Sequence, residues 1–212
     1  MVHDDASSGA ARPAGVAGQD ALRAALKLVA VALKEGGLPF ALAGSYGIWA
    51  RGGPEPDHDV DFMVAEEDAL RARDLLAERD LVVVQPPEDW LFKVFVDDAM
   101  VDVIFRVNGD PIDRSRFDDA EVMEVESVQM PVLPATVLMA DKLGAMEEHA
   151  CNLTPVIPAA RAVREQVDWA EVQRRTDGNP FAEACLVLLR RLDVVAAPSP
   201  PNASHPTAVA RR

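Results

Sequence analysis

The stretch Leu42–Val64, LAGSYGIWARGGPEPDHDVDFMV, constrains this chain more than any other. Its apolar residues and its breakers read in order as the end of a buried strand, a Gly-Ser turn, a short helix over 46–51, a Gly/Pro loop over 52–57 and a second strand over 59–65. The second strand carries Asp59 and Asp61. Residues two apart on a strand share a face and stand about 7 Å apart along the chain. Both carboxylates therefore project to one side, while Val60, Phe62 and Val64 point the other way, into a core. Adjacent acids repel each other and resist burial. A divalent cation removes both penalties, and hard oxygen ligands suit Mg²⁺. Any Asp-x-Asp taken alone is more often a solvated strand face, so the neighbouring features carry the weight. Gly44-Ser45 sits upstream at a strand-to-helix turn, and Asp102 lies inside the apolar run Met100-Val101-Asp102-Val103-Ile104-Phe105. An unpaired charge among strand-forming apolar residues is costly and needs a partner.

Composition bounds the rest. A length of 212 residues allows one domain, or one domain with a helical extension, and 49% apolar residues supply a core. Lys plus Arg number 21 against 35 Asp plus Glu, a net charge of −14. That balance argues against a nonspecific grip on nucleic acid, which depends on neutralising phosphates; it leaves room for a nucleic-acid substrate held at a local basic patch. Cys151 and Cys185 lack metal-type spacing and read as core thiols in a reducing compartment. The N-terminal stretch has no apolar signal segment and no run spans a bilayer, so a cytoplasmic protein without a membrane anchor is expected.

Periodicity predicts a helix over 20–34 with Leu22, Ala25, Leu26, Val29 and Leu33 on one face, stopped by Gly36-Gly37. A strand follows over 39–43. Beyond the acid-bearing strand, 66–79 reads as a charged helix with Leu70, Leu75 and Leu76 inward, and 81–84 as a strand. Residues 91–96 and 100–106 read as a hairpin turning at Asp97-Asp98-Ala99. Residues 110–120 are polar and irregular with one helical turn. A strand over 122–125 leads into a connection carrying Met130-Pro131 and Pro134. From Ala135 the pattern is helical: 136–149, 158–167, a helix capped by Asp168 with Glu171 three residues on, and a last one opened by Asn179-Pro180 and running to about 193. The expected organisation is a disordered tail over 1–19, a core over 20–134, a C-terminal helical region over 135–195 and a second disordered tail over 196–212.

Gly44-Ser45, a spacer of about a dozen residues, Asp59-Val60-Asp61 and a later Asp102 on another strand resemble the nucleotidyltransferase superfamily of DNA polymerase beta type. The resemblance spans roughly 38–190 and is closer to antibiotic nucleotidyltransferases and nucleotidyltransferase toxins. It implies an α/β (α+β) fold, a mixed-sheet core flanked by helices and followed by a helical bundle segment. It also implies an enzyme that moves NMP from an NTP, ATP included, to a hydroxyl with release of pyrophosphate. Asp59 and Asp61 would bridge two Mg²⁺ (or Mn²⁺) ions, and Asp102 would complete the site and serve as a candidate base. Gly44 and Ser45 would approach the triphosphate. Lys93 and Lys142 would supply cations to it, with Arg51 and Arg106 as further candidates. Trp90 is expected at a buried edge of the core, and His58 on a solvated loop.

The acceptor would be a small molecule, a protein side chain or a tRNA 3′ end, and the assembly a monomer or a homodimer. The loop Pro54-Glu55-Pro56-Asp57-His58 departs from the pattern, which often places an Arg and a Thr or His there; the departure bears on acceptor and nucleotide choice. The alternative function is a catalytically silent nucleotide-binding or partner-binding protein on the same fold.

Overall fold

A computed structural model describes residues 14–196, with side chains from 18 onward. Of the two tails expected to be disordered, 1–13 and 197–212 lie outside the described residues, while 14–19 form the start of the first helix. That helix, α1 (Ala14–Glu35), is buried along the stripe its periodicity dictates: Leu22, Ala25, Leu26, Val29 and Leu33 are all inside. It stops where Gly37 adopts a φ of 63° and the Leu38 amide donates back to the Leu33 carbonyl at 3.1 Å, a Schellman-type end.

The chain continues through β1 (Phe40–Leu42), α2 (Gly44–Ala50), β2 (Val60–Val64), a 3₁₀ turn at Glu66–Asp68 and α3 (Ala69–Ala77). Next come β3 (Val82–Val84), β4 (Leu91–Val96), β5 (Ala99–Ile104), and the small ladder of β6 (Arg106–Val107) and β7 (Asp110–Pro111). A 3₁₀ turn at Arg114–Phe117, β8 (Glu121–Val125) and β9 (Val128–Val132) complete the first part. Helices α4 (Ala135–Gly144), α5 (Val156–Val163), α6 (Trp169–Arg175) and α7 (Pro180–Arg191) follow. Seven strands make one mixed sheet in the order β3-β4-β5-β2-β1-β9-β8, with β2 parallel to β5 and β1 parallel to β9. The fold is therefore α/β, with a mixed sheet and helices on both sides.

Strand alternation divides the apolar residues into two cores. Phe40, Leu42, Val60, Phe62, Val64, Phe92, Val94, Val101 and Val103 face α1. Ala41, Ala43 and Met63 face the other way and join Leu138, Met139 and Leu143 of α4 and Ala182, Cys185 and Leu189 of α7. Asp168 and Asn179 cap α6 and α7 as expected, each accepting from two backbone amides. Asn179 also donates from Nδ2 to the Gly144 and Met146 carbonyls at 3.1 and 3.0 Å, which ends α4 at Gly144 rather than near His149.

Three further local expectations differ from the structure. Leu70 is exposed, and the inward face of α3 is Ala69, Ala72 and Leu76. Within the one helix Leu70 lies about 140° around from Leu75 and about 120° from Leu76, so a single inward face cannot hold all three. Residues 128–132 are not a plain connection but the strand β9. Pro131 hid it, since proline removes a ladder donor. The two-residue turn Glu126-Ser127, both at positive φ, makes Val125 and Val128 a hydrogen-bonded pair. By alternation Pro131 then falls opposite Val122 at a position where no donor toward β8 is needed. Cys151, finally, is exposed, while Cys185 is buried as expected.

Candidate active site

The site follows from register. Asp61 on β2 lies directly opposite Asp102 on β5, and Asp102 lies directly opposite Lys93 on β4. One row across three strands thus reads Lys93, Asp102, Asp61. On the next strand over, Ala43 closes the row by donating its amide to the Asp61 carbonyl at 2.9 Å, and the chain turns there into α2. All these side chains lie on the face away from α1, because Val60, Phe62, Val101 and Val103 occupy the α1 side. Asp59 sits just ahead of β2. Asp59, Asp61 and Asp102 each offer an oxygen within 4.8 Å of the others, the set a divalent cation would need.

The charges on this row are constrained. Burial is the main force on Asp61, followed by the nearby Asp59 and Asp102 carboxylates, and together they push it from 3.8 to about 7. Lys142 and Lys93 oppose that shift. Asp102 is only 7% exposed and burial raises it too, against a pull from Lys93. The Lys93 ammonium donates to Asp102 Oδ1 at 2.8 Å and Oδ2 at 2.9 Å, engaging both oxygens. Burial lowers the Lys142 ammonium, and Asp61 and Asp59 hold it up in part.

Gly44 and Ser45 are on the same side of the sheet as the acids. Gly44 has a φ of 53°, and a Cβ there would collide with the Asp61 carboxylate. Only glycine allows the backbone that close. The Ser45 hydroxyl accepts from Lys142 Nζ at 3.0 Å, which joins the corner of α2 to α4. On the neighbouring position of α4, Asp141 accepts two short bonds from Arg116 Nη2, at 2.6 and 2.5 Å. These features open into a cleft of about 760 Å³ whose walls include Gly44, Ser45, Asp61, Lys142, Met63 and Ile104.

The structure therefore brings together Gly44, Ser45, Asp59, Asp61, Asp102, Lys93 and Lys142. Two sequence candidates do not join them freely. Arg51 is buried elsewhere: it donates from Nε to the Leu133 carbonyl at 2.7 Å and from Nη2 to the Val132 carbonyl at 3.2 Å, fastening the end of β9 to α2. Arg106 lines the cleft but is held by Glu66 at 2.7 and 2.5 Å and by Asp89 at 3.3 Å. Trp90 is not at a buried edge; it is 42% exposed on the cleft wall, and its carbonyl accepts from the Phe105 and Arg106 amides. His58 is solvated on its loop. The Lys93–Asp102 pairing was legible only through the turn. A three-residue turn at Asp97-Asp98-Ala99 sets Lys93 against Val103, whereas the observed two-residue turn pairs Val96 with Ala99 and so Lys93 with Asp102.

No protein-family model and no curated protein sequence matches the chain. Solved structures do. The solution structure of the antibiotic-resistance factor ANT(2'')-Ia superposes with a TM-score of 0.56 at 16% identity, over 80% of this chain and 97% of that one. The chain has the nucleotidyltransferase fold. Within that likeness, a crystal structure of ANT(2'')-Ia with adenylyl-2''-tobramycin gives a TM-score of 0.48 at 16% identity, over 81% and 98% of the two chains. The lincosamide antibiotic adenylyltransferase LnuA with lincomycin bound gives 0.44 at 10% identity, over 74% and 96%. A nucleotidyltransferase fold has no fixed substrate of its own, so function has to be argued from the acids, lysines and glycine corner just described.

Proposed function

We propose that this chain is a metal-dependent nucleotidyltransferase that moves NMP from an NTP to a hydroxyl acceptor and releases pyrophosphate. The observation that carries the reading is the convergence of Asp59, Asp61 and Asp102 on the open face of the sheet, beside the Gly44-Ser45 corner and Lys142. The donor set fits hard divalent ions: three carboxylates, one of them pushed up to about 7 by burial and by the other two, are a group that a cation would relieve. When bound there, Mg²⁺ or Mn²⁺ supplies Lewis-acid activation of the attacking and leaving oxygens.

The chain's own residues have separable tasks. Gly44 lets the polyphosphate approach the backbone, and the Ser45 hydroxyl and Lys142 ammonium bind its oxygens. The acceptor oxygen forms the new bond to the α-phosphorus as the bond to the β-phosphate oxygen breaks. Asp102 takes the hydroxyl proton on a carboxylate oxygen. The cleft wall with Met63, Ile104 and Trp90 shields these groups from water and offers an apolar surface to the nucleobase or the acceptor. A net charge of −14 favours a cationic small molecule as acceptor over tRNA, since complementary charge speeds encounter.

The test is incubation with each of the four labelled NTPs and fractionated cell extract, with and without Mg²⁺. Label transferred to one fraction by the wild type and not by Asp61→Asn supports the reading; no transfer with any nucleotide opposes it. One observation favours a second reading, a nucleotide-binding protein without transfer: both oxygens of Asp102 accept from the Lys93 ammonium, whose charge opposes both a metal and an added proton there. Calorimetry showing Mg²⁺-dependent NTP binding, with no turnover on any acceptor, would select it.

A further inference from the structure

By solvent exposure Asp102 is the buried member of the acid group and Asp59 and Asp61 are half-buried; the Asp102 side chain is 10% exposed against 25% for Lys93. Both of its oxygens accept from one ammonium at 2.8 and 2.9 Å. The pairing is set by backbone register, the two residues being directly opposite on β4 and β5, so it is not a chance meeting of long side chains. Each carboxylate oxygen keeps a second lone pair, so the bar to a cation here is the ammonium's charge, which at this distance would repel a divalent ion strongly at protein-like dielectric.

We propose that Lys93 is a resident counter-ion that competes with divalent metal for Asp102, so that the third carboxylate is released to metal only when Lys93 moves away. The released ammonium has an acceptor at hand in the polyphosphate of a bound nucleotide. Metal loading at Asp102 and nucleotide binding are thereby coupled through one side chain. Lys93 is on this account a positioning residue acting through Asp102. The inference rests on the reading of Asp59, Asp61 and Asp102 as metal ligands.

A purely structural ion pair makes a different prediction. Replacing a partly buried Lys by an apolar residue of similar volume would then change stability and leave ion affinity alone. The deciding experiment is a nucleotide-free Mn²⁺ titration followed by electron paramagnetic resonance, at about pH 8 so that Asp61 is ionised. It compares the wild type, Lys93→Met, Lys93→Arg and Asp61→Asn.

The expected result is loss of binding in Asp61→Asn, binding about tenfold tighter in Lys93→Met from removal of the competing charge, and near wild-type binding in Lys93→Arg. Unchanged or weaker binding in Lys93→Met, with Asp61→Asn still deficient, overturns the competition and leaves the metal site standing. No Asp61-dependent binding in the wild type overturns both. A second measurement needs no variant at this position: acetylation of Lys93 in the wild-type protein, read by mass spectrometry. Mg²⁺ is expected to raise labelling at Lys93 several-fold while labelling at Lys34, which donates to the Gln129 carbonyl, stays level. Equal labelling with and without Mg²⁺ would count against the proposal.

Discussion

The two faces of the sheet are made by alternate residues of the same strands, yet they differ in kind. On β2, Val60, Phe62 and Val64 enter a core that α1 seals along its whole apolar stripe. Their neighbours Asp61 and Met63 enter the opposite face, where α2 and α4 cover only part of the sheet and leave the cleft. The closed face gains stability from dry packing. The open face gives stability up: it holds repelling carboxylates and an ammonium whose protonated form is opposed by burial. The candidate site thus sits where one face of a sheet is left incompletely covered.

That contrast is tested most strongly by two adjacent residues. Asp61→Asn should abolish transfer, by about a thousandfold if several kcal/mol of metal-assisted stabilisation is lost, while the metal-free fold is retained. Phe62→Ala should instead cost about 3–5 kcal/mol of stability through the cavity it leaves. Activity assays and urea unfolding on both variants would break the comparison if both changes behaved alike.

The pH dependence sharpens it. Asp61 has a folded value of about 7 against an ordinary 3.8, so the folded state binds its proton more tightly than the unfolded state does. The stability this group contributes is complete below about 3.8 and is lost as pH rises through about 7. In metal-free protein, Asp61→Asn should therefore match the wild type near pH 4 and exceed it by about 2–4 kcal/mol near pH 8. Melting curves across that window check the sign; a gain confined to low pH would contradict it.

Smaller effects follow. Gly44→Ala should cost about 2–3 kcal/mol, from positive φ and from the collision with Asp61. Part of that cost should be recovered in the double variant with Asp61→Ala, which denaturation of the cycle would show. Arg51→Met should cost about 1–2 kcal/mol through unpaired carbonyls at Val132 and Leu133, with transfer per folded molecule unchanged. The two thiols give the mildest contrast: iodoacetamide should label exposed Cys151 promptly, while Cys185, buried and pushed up to about 11, should react only on unfolding.

Much of the architecture is readable without coordinates because it rests on local periodicity. The stripe of α1, the strand alternation around Asp61 and the caps at Asp168 and Asn179 depend only on residues close in sequence. The errors fall where one residue of offset matters. Leu70 faces outward because helix geometry sets it about 120° or more around α3 from Leu75 and Leu76, and β9 was masked by Pro131, whose missing donor is harmless only in the register that β8 imposes.

Spacing determined that Asp61 stands on a strand face opposite an apolar one, with Asp59 just ahead of it, and that a glycine turn precedes them. It did so because a side chain's direction along a strand is a property of the backbone repeat. Only the assembled sheet decided that Asp61 joins the Lys93–Asp102 hairpin pair in one row, that Arg51 fastens the end of β9 to α2, and that Trp90 stands on a cleft wall. Those facts depend on which strand lies beside which, and in what register. Such pairings are settled by long-range packing that no local run of residues encodes.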